Sequence, residues 1–483
     1  MSDALEKRIK KHIIGKPHRF LAVVPLGFEQ TLNQELCFIL RENVIEPPHI
    51  TGDGKVEFIA KITEAWKAVA YSRIANRILM EVVSFKAENF RDFEKKSSEI
   101  PWELYILSEA HRAKSKNPVN SCSSSLNIHV TCKHSRLYHS DAIAERLERI
   151  ICKTFSSPDS SPHSGIMPTK ATSCQVVKET PAFHAFAQED TQCHSEAEGD
   201  RVHKVFPQNI YVNFLDDRCT IWLDLAGEEL YKRGHERFVN DAPLKETIAA
   251  AMLFEATKAT PLPQSTIFDF MAGSGTFSLE AACIANKIIP GTCRDFALKH
   301  QPAFKEATWN YILRQENSRI ESIKNIITSD ISERAIEIIK HNEECSPLAE
   351  ITPNGNTPTI NPQLRDFFSY TAKEIAEASP GDTTPIIVLN PPYGKRLDFD
   401  APKLYTKIGR KLAELAHDLK PLGKALTVAI LAPKDDPRPG TPYTCTANLL
   451  RECSALSPEN NSAAKLIVTS HGGLTLNTFI AKI

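Results

Sequence analysis

The segment Pro385-Ile386-Ile387-Val388-Leu389-Asn390-Pro391-Pro392-Tyr393-Gly394 reads as a buried strand followed at once by a stiff, polar turn. An unbroken apolar run fits a strand covered on both faces, as in a parallel sheet. Two prolines remove backbone donors and stiffen the turn, which leaves the Pro391 carbonyl as a free acceptor. Ligands in such sheets sit at the carboxyl ends of the strands, so Asn390 to Tyr393 should face a pocket. The Asn390 side-chain oxygen and the Pro391 carbonyl can both accept from one –NH₂ group, whose lone pair then points away from them. Tyr393 offers a ring for stacking a planar substrate, worth about 1–3 kcal/mol per base in nucleic-acid sites. The alternative is a turn that only ends a strand. Asn390, Pro391, Pro392 and Tyr393 are the candidate catalytic residues.

Three elements upstream repeat the strand-then-polar-turn pattern. Thr266 to Phe270 is an apolar strand carrying Asp269 near its end, and Met271-Ala272-Gly273-Ser274-Gly275-Thr276 leads into a helix over Phe277 to Asn286. A glycine turn there lets a ligand approach the backbone and meet the helix N–H groups. The third glycine of a dinucleotide site is missing, and so is the Gly-Lys-Ser/Thr of a P-loop. Asp269 suits a cationic ligand such as the amino group of a methionine moiety. Asn325 to Asp330 is a second strand ending in an acid, followed by a helix over Ile331 to Asn342; Asp330 can accept both hydroxyls of a ribose. Pro290 to Arg319 reads as a helical insertion between them. In Leu364 to Phe368, Asp366 either bonds an adenine amine or caps the following helix, and Phe367 can pack on the ring. The glycine turn alone could serve a nucleotide phosphate or only a tight turn; with the acids at the strand ends, the expected ligand is S-adenosyl-L-methionine. Its candidate contacts are Asp269, Gly273, Ser274, Gly275, Thr276, Asp330, Asp366 and Phe367.

From Asp241 onward strands alternate with helices, which predicts an α/β domain with a parallel sheet over residues 241–483. The preceding chain reads differently. Phe20 to Val24 and Lys55 to Lys61 are strands, Glu29 to Leu40 is a helix, and Glu64 to Leu79 predicts an amphipathic helix with Arg73 and Arg77 four apart on one side. This gives a small α+β segment over 1–80. A second unit, 81–226, has an alternating strand at Leu126 to Val130, a helix from Ala142 to Lys153 behind an N-cap at Ser140-Asp141, and a hairpin of Asn209 to Leu215 with Cys219 to Leu225. Ser156 to Asp200 within it is rich in Ser, Pro, Thr, His and acids and predicts a disordered or loosely ordered insertion.

The chain of 483 residues carries a net charge of −1 and 42% hydrophobic residues, which suits two or three globular domains and gives no global signature of a nucleic-acid binder. Local basic clusters exist, including Lys133, His134, Arg136 and His139; on charge alone each reads equally as a solvated face or an RNA contact. No apolar run is long enough for a membrane span, and the charged start has no secretory h-region, so a cytoplasmic protein is expected. Twelve cysteines are scattered with no Cys-x-x-Cys pair, and they read as reduced thiols with no metal site.

These residues resemble the Rossmann-like class I methyltransferases with an Asn-Pro-Pro-Tyr motif. More closely, the chain resembles the bacterial 23S ribosomal RNA guanine-N2 methyltransferases that carry an N-terminal THUMP domain. Pro25-Leu26-Gly27-Phe28-Glu29 resembles that family's ferredoxin-like segment, Leu137-Tyr138-His139-Ser140-Asp141 its THUMP helix, and Lys232-Arg233-Gly234-His235 its linker. Phe270 and Ala272 depart from the family's usual proline and small residue. The resemblance implies transfer of a methyl group to N2 of a guanine in 23S rRNA, with Lys133, Arg136, Tyr138, Arg233, Lys395 and Arg396 as candidate RNA contacts. The alternatives are a tRNA guanine, an adenine N6 of DNA, and a non-catalytic RNA binder. Some relatives carry a second methyltransferase domain; the chain ends at Ile483, so that second activity is expected to be absent.

Overall fold

The computed structural model describes residues 3–107, 126–155, 207–239, 243–259, 264–315, 323–351, 358–393, 400–435 and 444–483. The insertion expected at Ser156 to Asp200 lies outside the described residues, as do Lys395 and Arg396. The rest forms two seven-stranded sheets.

The first sheet holds β1 (Pro17–Val23), β2 (Val44–Gly52), β3 (Lys55–Lys61), β4 (Arg77–Lys86), β5 (Leu126–Lys133), β6 (Gln208–Leu215) and β7 (Arg218–Asp224), in the order β2-β3-β1-β4-β7-β6-β5. Only the β5–β6 pair is parallel. Helices α1 (Asp3–Ile9), α2 (Glu29–Leu40), α3 (Ile62–Tyr71), α4 (Phe90–Ser98) and α5 (Ser140–Phe155) accompany it. The turn between β6 and β7 is tight because Asp216 and Asp217 both take positive φ, which short acidic side chains tolerate. The boundary expected near residue 80 falls inside β4, which pairs with β1 through its first half and with β7 along most of its length. The two N-terminal units therefore share one continuous sheet.

The predicted helix over Glu64 to Leu79 is corrected. Helix α3 stops at Tyr71. Buried Glu35 accepts from the Ser72 hydroxyl at 2.6 Å and from the Arg73 backbone N–H at 2.9 Å, which turns the chain out of the helix. Ile78 then sits in β4 opposite Ala22. Its apolar spacing fitted a helix, but period two fits the same residues once the turn is made.

The second sheet holds β8 (Gln264–Asp269), β9 (Ile323–Asp330), β10 (Pro362–Leu364), β11 (Thr383–Leu389), β12 (Thr427–Pro433), β13 (Lys465–His471) and β14 (Leu474–Lys482), ordered β10-β9-β8-β11-β12-β14-β13. The first five strands are parallel and β14 runs antiparallel between β12 and β13. Every residue of β11 and β12 is buried, as two-sided coverage requires. The covering helices are α6 (Glu246–Lys258), α7 (Thr276–Ala285), α8 (Glu306–Leu313), α9 (Glu333–Glu344), α10 (Ala372–Ala378), α11 (Ala401–Leu419) and α12 (Cys445–Glu452). Helix α8 lies in the region expected to be a helical insertion.

A buried ionic junction joins the two sheets. Glu280 of α7 is 4% exposed, pairs with Arg73 at 3.2 Å and receives Arg233 Nε–H at 2.9 Å. Burial pushes its carboxyl up, and the two guanidinium groups more than reverse that shift. Thr31 of α2 donates to Glu255 of α6 at 2.7 Å, and Thr247 donates to Asn76 at 2.8 Å. Removing one partner of such a cluster leaves buried charge uncompensated, at a cost of about 3–5 kcal/mol. Glu280→Ala is therefore expected to lower the unfolding free energy in urea by about that amount; a loss below about 1 kcal/mol would mean the junction carries no weight.

Candidate active site

The carboxyl ends of β8, β9 and β11 converge on the glycine turn. Val388 of β11 is the register partner of Asp269, so Asn390 lies two residues beyond the level of that carboxylate on the adjacent strand. Thr328 of β9 is the partner of Asp269 on the other side, and Asp330 follows two residues later. Sheet register thus brings Asp269, Asp330 and Asn390 to one edge.

Gly273 and Gly275 take φ of +56° and +78°. At Gly275 an added Cβ would also stand 3.0 Å from Ile339, so the position excludes side chains on both counts. The turn is held from beneath: Gly273 N–H donates to Asp330 at 2.9 Å, and Gly275 N–H donates to the Ala272 carbonyl at 2.7 Å. The other Asp330 oxygen accepts from Ser332 N–H at 2.9 Å. Each oxygen keeps a lone pair, which is what a ribose diol needs.

Asp269 is fully buried. Its Oδ2 accepts from the Ser278 hydroxyl at 2.7 Å and the Ser278 backbone N–H at 3.2 Å. Its Oδ1 is buried with no partner among the described residues. Burial, with a smaller push from nearby Asp330, raises this carboxyl to about 7 against the donation from Ser278. Asn390 Oδ1 is likewise a buried acceptor without a partner among the described residues. An unpaired acceptor of this kind costs about 1–3 kcal/mol and marks a place where a donor is missing. Tyr393 is half-buried against the core, and burial raises its phenol pKa.

Several expected contacts take other places. Phe367 is 1% exposed and packed between Phe270 and Phe368, so it presents no face to a ring. Asp366 accepts from Phe368 N–H at 3.0 Å and caps the short turn over Phe367–Ser369, which is the capping alternative. Arg233, expected as an RNA contact, is 7% exposed, with its donors spent on Glu280, the Leu230 carbonyl and the Arg73 carbonyl. Ser274 and Thr276 are buried, and both hydroxyls receive the Arg237 guanidinium. Lys133, Arg136 and Tyr138 are exposed on the first sheet's far unit, where Arg136 pairs with Glu88 and, at 3.7 Å, with Asp217.

Sequence reading missed the linker's role. Arg237 reaches the glycine turn and pairs with Glu246. Asn342 of α9 donates to the Ser274 carbonyl at 3.0 Å and to the Phe238 carbonyl at 2.9 Å, and accepts from Phe238 N–H at 2.7 Å. Gly234 takes φ of +94° where a Cβ would meet the Arg294 backbone at 2.7 Å. The basic residues around it read as a linker with an RNA contact at Arg233, and nothing local marked their partners on the α/β domain.

Residues 233–420 match the family model for the RMKL-like methyltransferase domain, and residues 19–79 match that for the RlmL ferredoxin-like domain. The Ribosomal RNA large subunit methyltransferase K/L of Hydrogenovibrio crunogenus is 26% identical over 411 residues, covering 83% of this chain and 46% of that protein. A Bacillus subtilis (strain 168) protein named "Putative RNA methyltransferase YpsC" is 27% identical over 386 residues, covering 79% of this chain and 80% of that protein. The chain thus spans about half the length of the K/L relative and most of that of YpsC. The solved structure of SMU.472 in complex with SAH superposes with a TM-score of 0.61 at 20% identity, over 96% of this chain and 98% of that one. The chain thus shares the fold of that structure.

Asp269 gives the domain a pH signature. A carboxyl held above its unfolded value favours the folded state when protonated, so its contribution is full below about pH 4 and is lost as pH rises through about 7. The stability difference between the ligand-free wild type and Asp269→Asn is expected to move against the wild type over that range. A constant difference from pH 4 to 8 would show that Asp269 is already ionised throughout.

Proposed function

We propose that the chain is an S-adenosyl-L-methionine-dependent methyltransferase that acts on N2 of a guanine in 23S rRNA. The carrying observation is the buried Asn390 acceptor, without a partner among the described residues, at the end of a fully buried strand and beside the strand end that holds Asp269. The residues fit the cofactor. Asp269 Oδ1 offers a buried acceptor for an ammonium, the turn at Gly273 to Gly275 leaves room for close backbone approach, and Asp330 stands at the ribose position. When bound, the cofactor supplies an electrophilic methyl on a cationic sulfur.

The chain's own residues then do the positioning. Asn390 Oδ1 and the Pro391 carbonyl accept the two protons of an exocyclic amine, which turns its lone pair outward. Tyr393 supports the base plane. The amine needs orientation more than a strong base, since its proton becomes acidic only as the new bond forms. A base paired in a duplex cannot reach this strand-end site, so the target must be unpaired or flipped out.

Ribosomal RNA as substrate, rather than tRNA or DNA, is supported by the K/L relative and by the N-terminal sheet, whose 81–226 unit we read as THUMP-like and RNA-binding, in the cytoplasm. Tyr138 is 67% exposed with its ring 4.2 Å from that of His139, and Lys133 lies exposed at the end of β5. This is a stacking platform beside a phosphate contact.

Incubation of the chain with methyl-labelled cofactor and unmodified 23S rRNA, followed by nucleoside mass analysis, is expected to yield N2-methylguanosine. Label confined to tRNA or to N6-methyladenosine in DNA would overturn the substrate assignment. In the same RNA, Lys133→Ala is expected to reduce the slope of log affinity against log salt by about 1 while leaving cofactor affinity unchanged; an unaltered slope would place the phosphate contact elsewhere.

A further inference from the structure

Glu236 is distant in sequence from His341 and Cys345, yet the ligand atoms of all three lie within 4.8 Å of one another beside the linker. His341 is in the last turn of α9 and Cys345 caps that helix four residues on, so both project from one face. Cys345 Sγ stands 3.5 Å from His341 Nε2. Metal–sulfur and metal–nitrogen bonds of about 2.3 and 2.0 Å, at a tetrahedral angle, put those two atoms roughly 3.5 Å apart. A thiol-to-imidazole hydrogen bond would account for that pair alone; the carboxylate of Glu236 adds a third ligand atom beside it.

The surroundings hold these groups in place. The His341 ring stacks on Phe238 with centroids 3.9 Å apart and planes at 15°. Phe238 is itself fixed at both its backbone N–H and its carbonyl by the Asn342 side chain. This is the outer support that keeps an imidazole ligand aimed. His341 and Cys345 are half-buried and Glu236 is exposed, so an ion can enter from solvent and keep a water in its fourth position.

We propose that Glu236, His341 and Cys345 bind one divalent cation of the zinc class. On binding, the Cys345 thiol releases its proton to solvent and its sulfur bonds the metal; His341 binds through Nε2 and Glu236 through one oxygen. No redox step is involved. The ion ties the linker to α9, whose Asn342 also holds the Ser274 carbonyl, so it braces the glycine turn from behind. Its role is structural, and it leaves the methyl-transfer residues untouched.

The test uses the full chain, freed of metal with a chelator and titrated with Co²⁺ alone. One equivalent is expected to produce a thiolate-to-cobalt charge-transfer band that Zn²⁺ then bleaches. Cys345→Ser and His341→Gln should lose the band while keeping the wild-type circular dichroism, and Phe238→Ala should weaken binding about 10-fold. A wild type without the band, or a Cys345→Ser chain with it undiminished, overturns the site. If Cys345→Ser does not fold, alkylation of the wild type decides the matter. Zn²⁺ should shield Cys345 from iodoacetamide in peptide mapping, and equal labelling with and without Zn²⁺ overturns the proposal.

Discussion

Glu280 is the point on which the architecture turns. It sits in the helix that leaves the glycine turn, and its partners come from the N-terminal sheet through Arg73 and from the linker through Arg233. Charges this deeply buried are tolerated only when each has its counterpart, so the three segments can adopt only one arrangement together. The junction carries little net stabilisation of its own. It specifies how the N-terminal module, the linker and the C-terminal α/β domain meet.

That arrangement extends to the reaction edge through hydrogen bonds. Arg237 and Asn342 hold the linker against Ser274 and Thr276, Asp330 holds Gly273, and Ser278 holds one oxygen of Asp269. The turn is therefore braced on all sides before any ligand arrives. Among the described residues, Asp269 Oδ1 and Asn390 Oδ1 are buried acceptors left without a donor at this edge, one suited to a cation and the other to an amine. Preorganised acceptors that wait for donors are how a site specifies position without a strong acid or base.

Much of this was legible in the sequence where local pattern and tertiary demand agree. The helix at Glu29–Leu40, the strand at Lys55–Lys61, the parallel strands and the glycine turn all carry their own signals. Reading failed where a distant group decided the outcome. The helix drawn through Leu79 ends at Tyr71 because Glu35 takes the next backbone donors. Arg233 looked like a phosphate contact because its counter-charge lies on α7, beyond any local pattern. Phe367 looked like a ring partner, but its neighbours Phe270 and Phe368 claim both faces of the position. The grouping of Glu236 with His341 and Cys345 has no spacing that a sequence could show.

The central claim is that Asn390 holds the acceptor amine and does not hold the cofactor. Single-turnover transfer to 23S rRNA by Asn390→Ala, with cofactor affinity measured by calorimetry on the same preparation, separates these roles. The account predicts a transfer rate lower by about 100-fold or more, as expected for a misplaced reactant, with cofactor affinity close to wild type. A variant that transfers at the wild-type rate, or that fails to bind the cofactor, contradicts it.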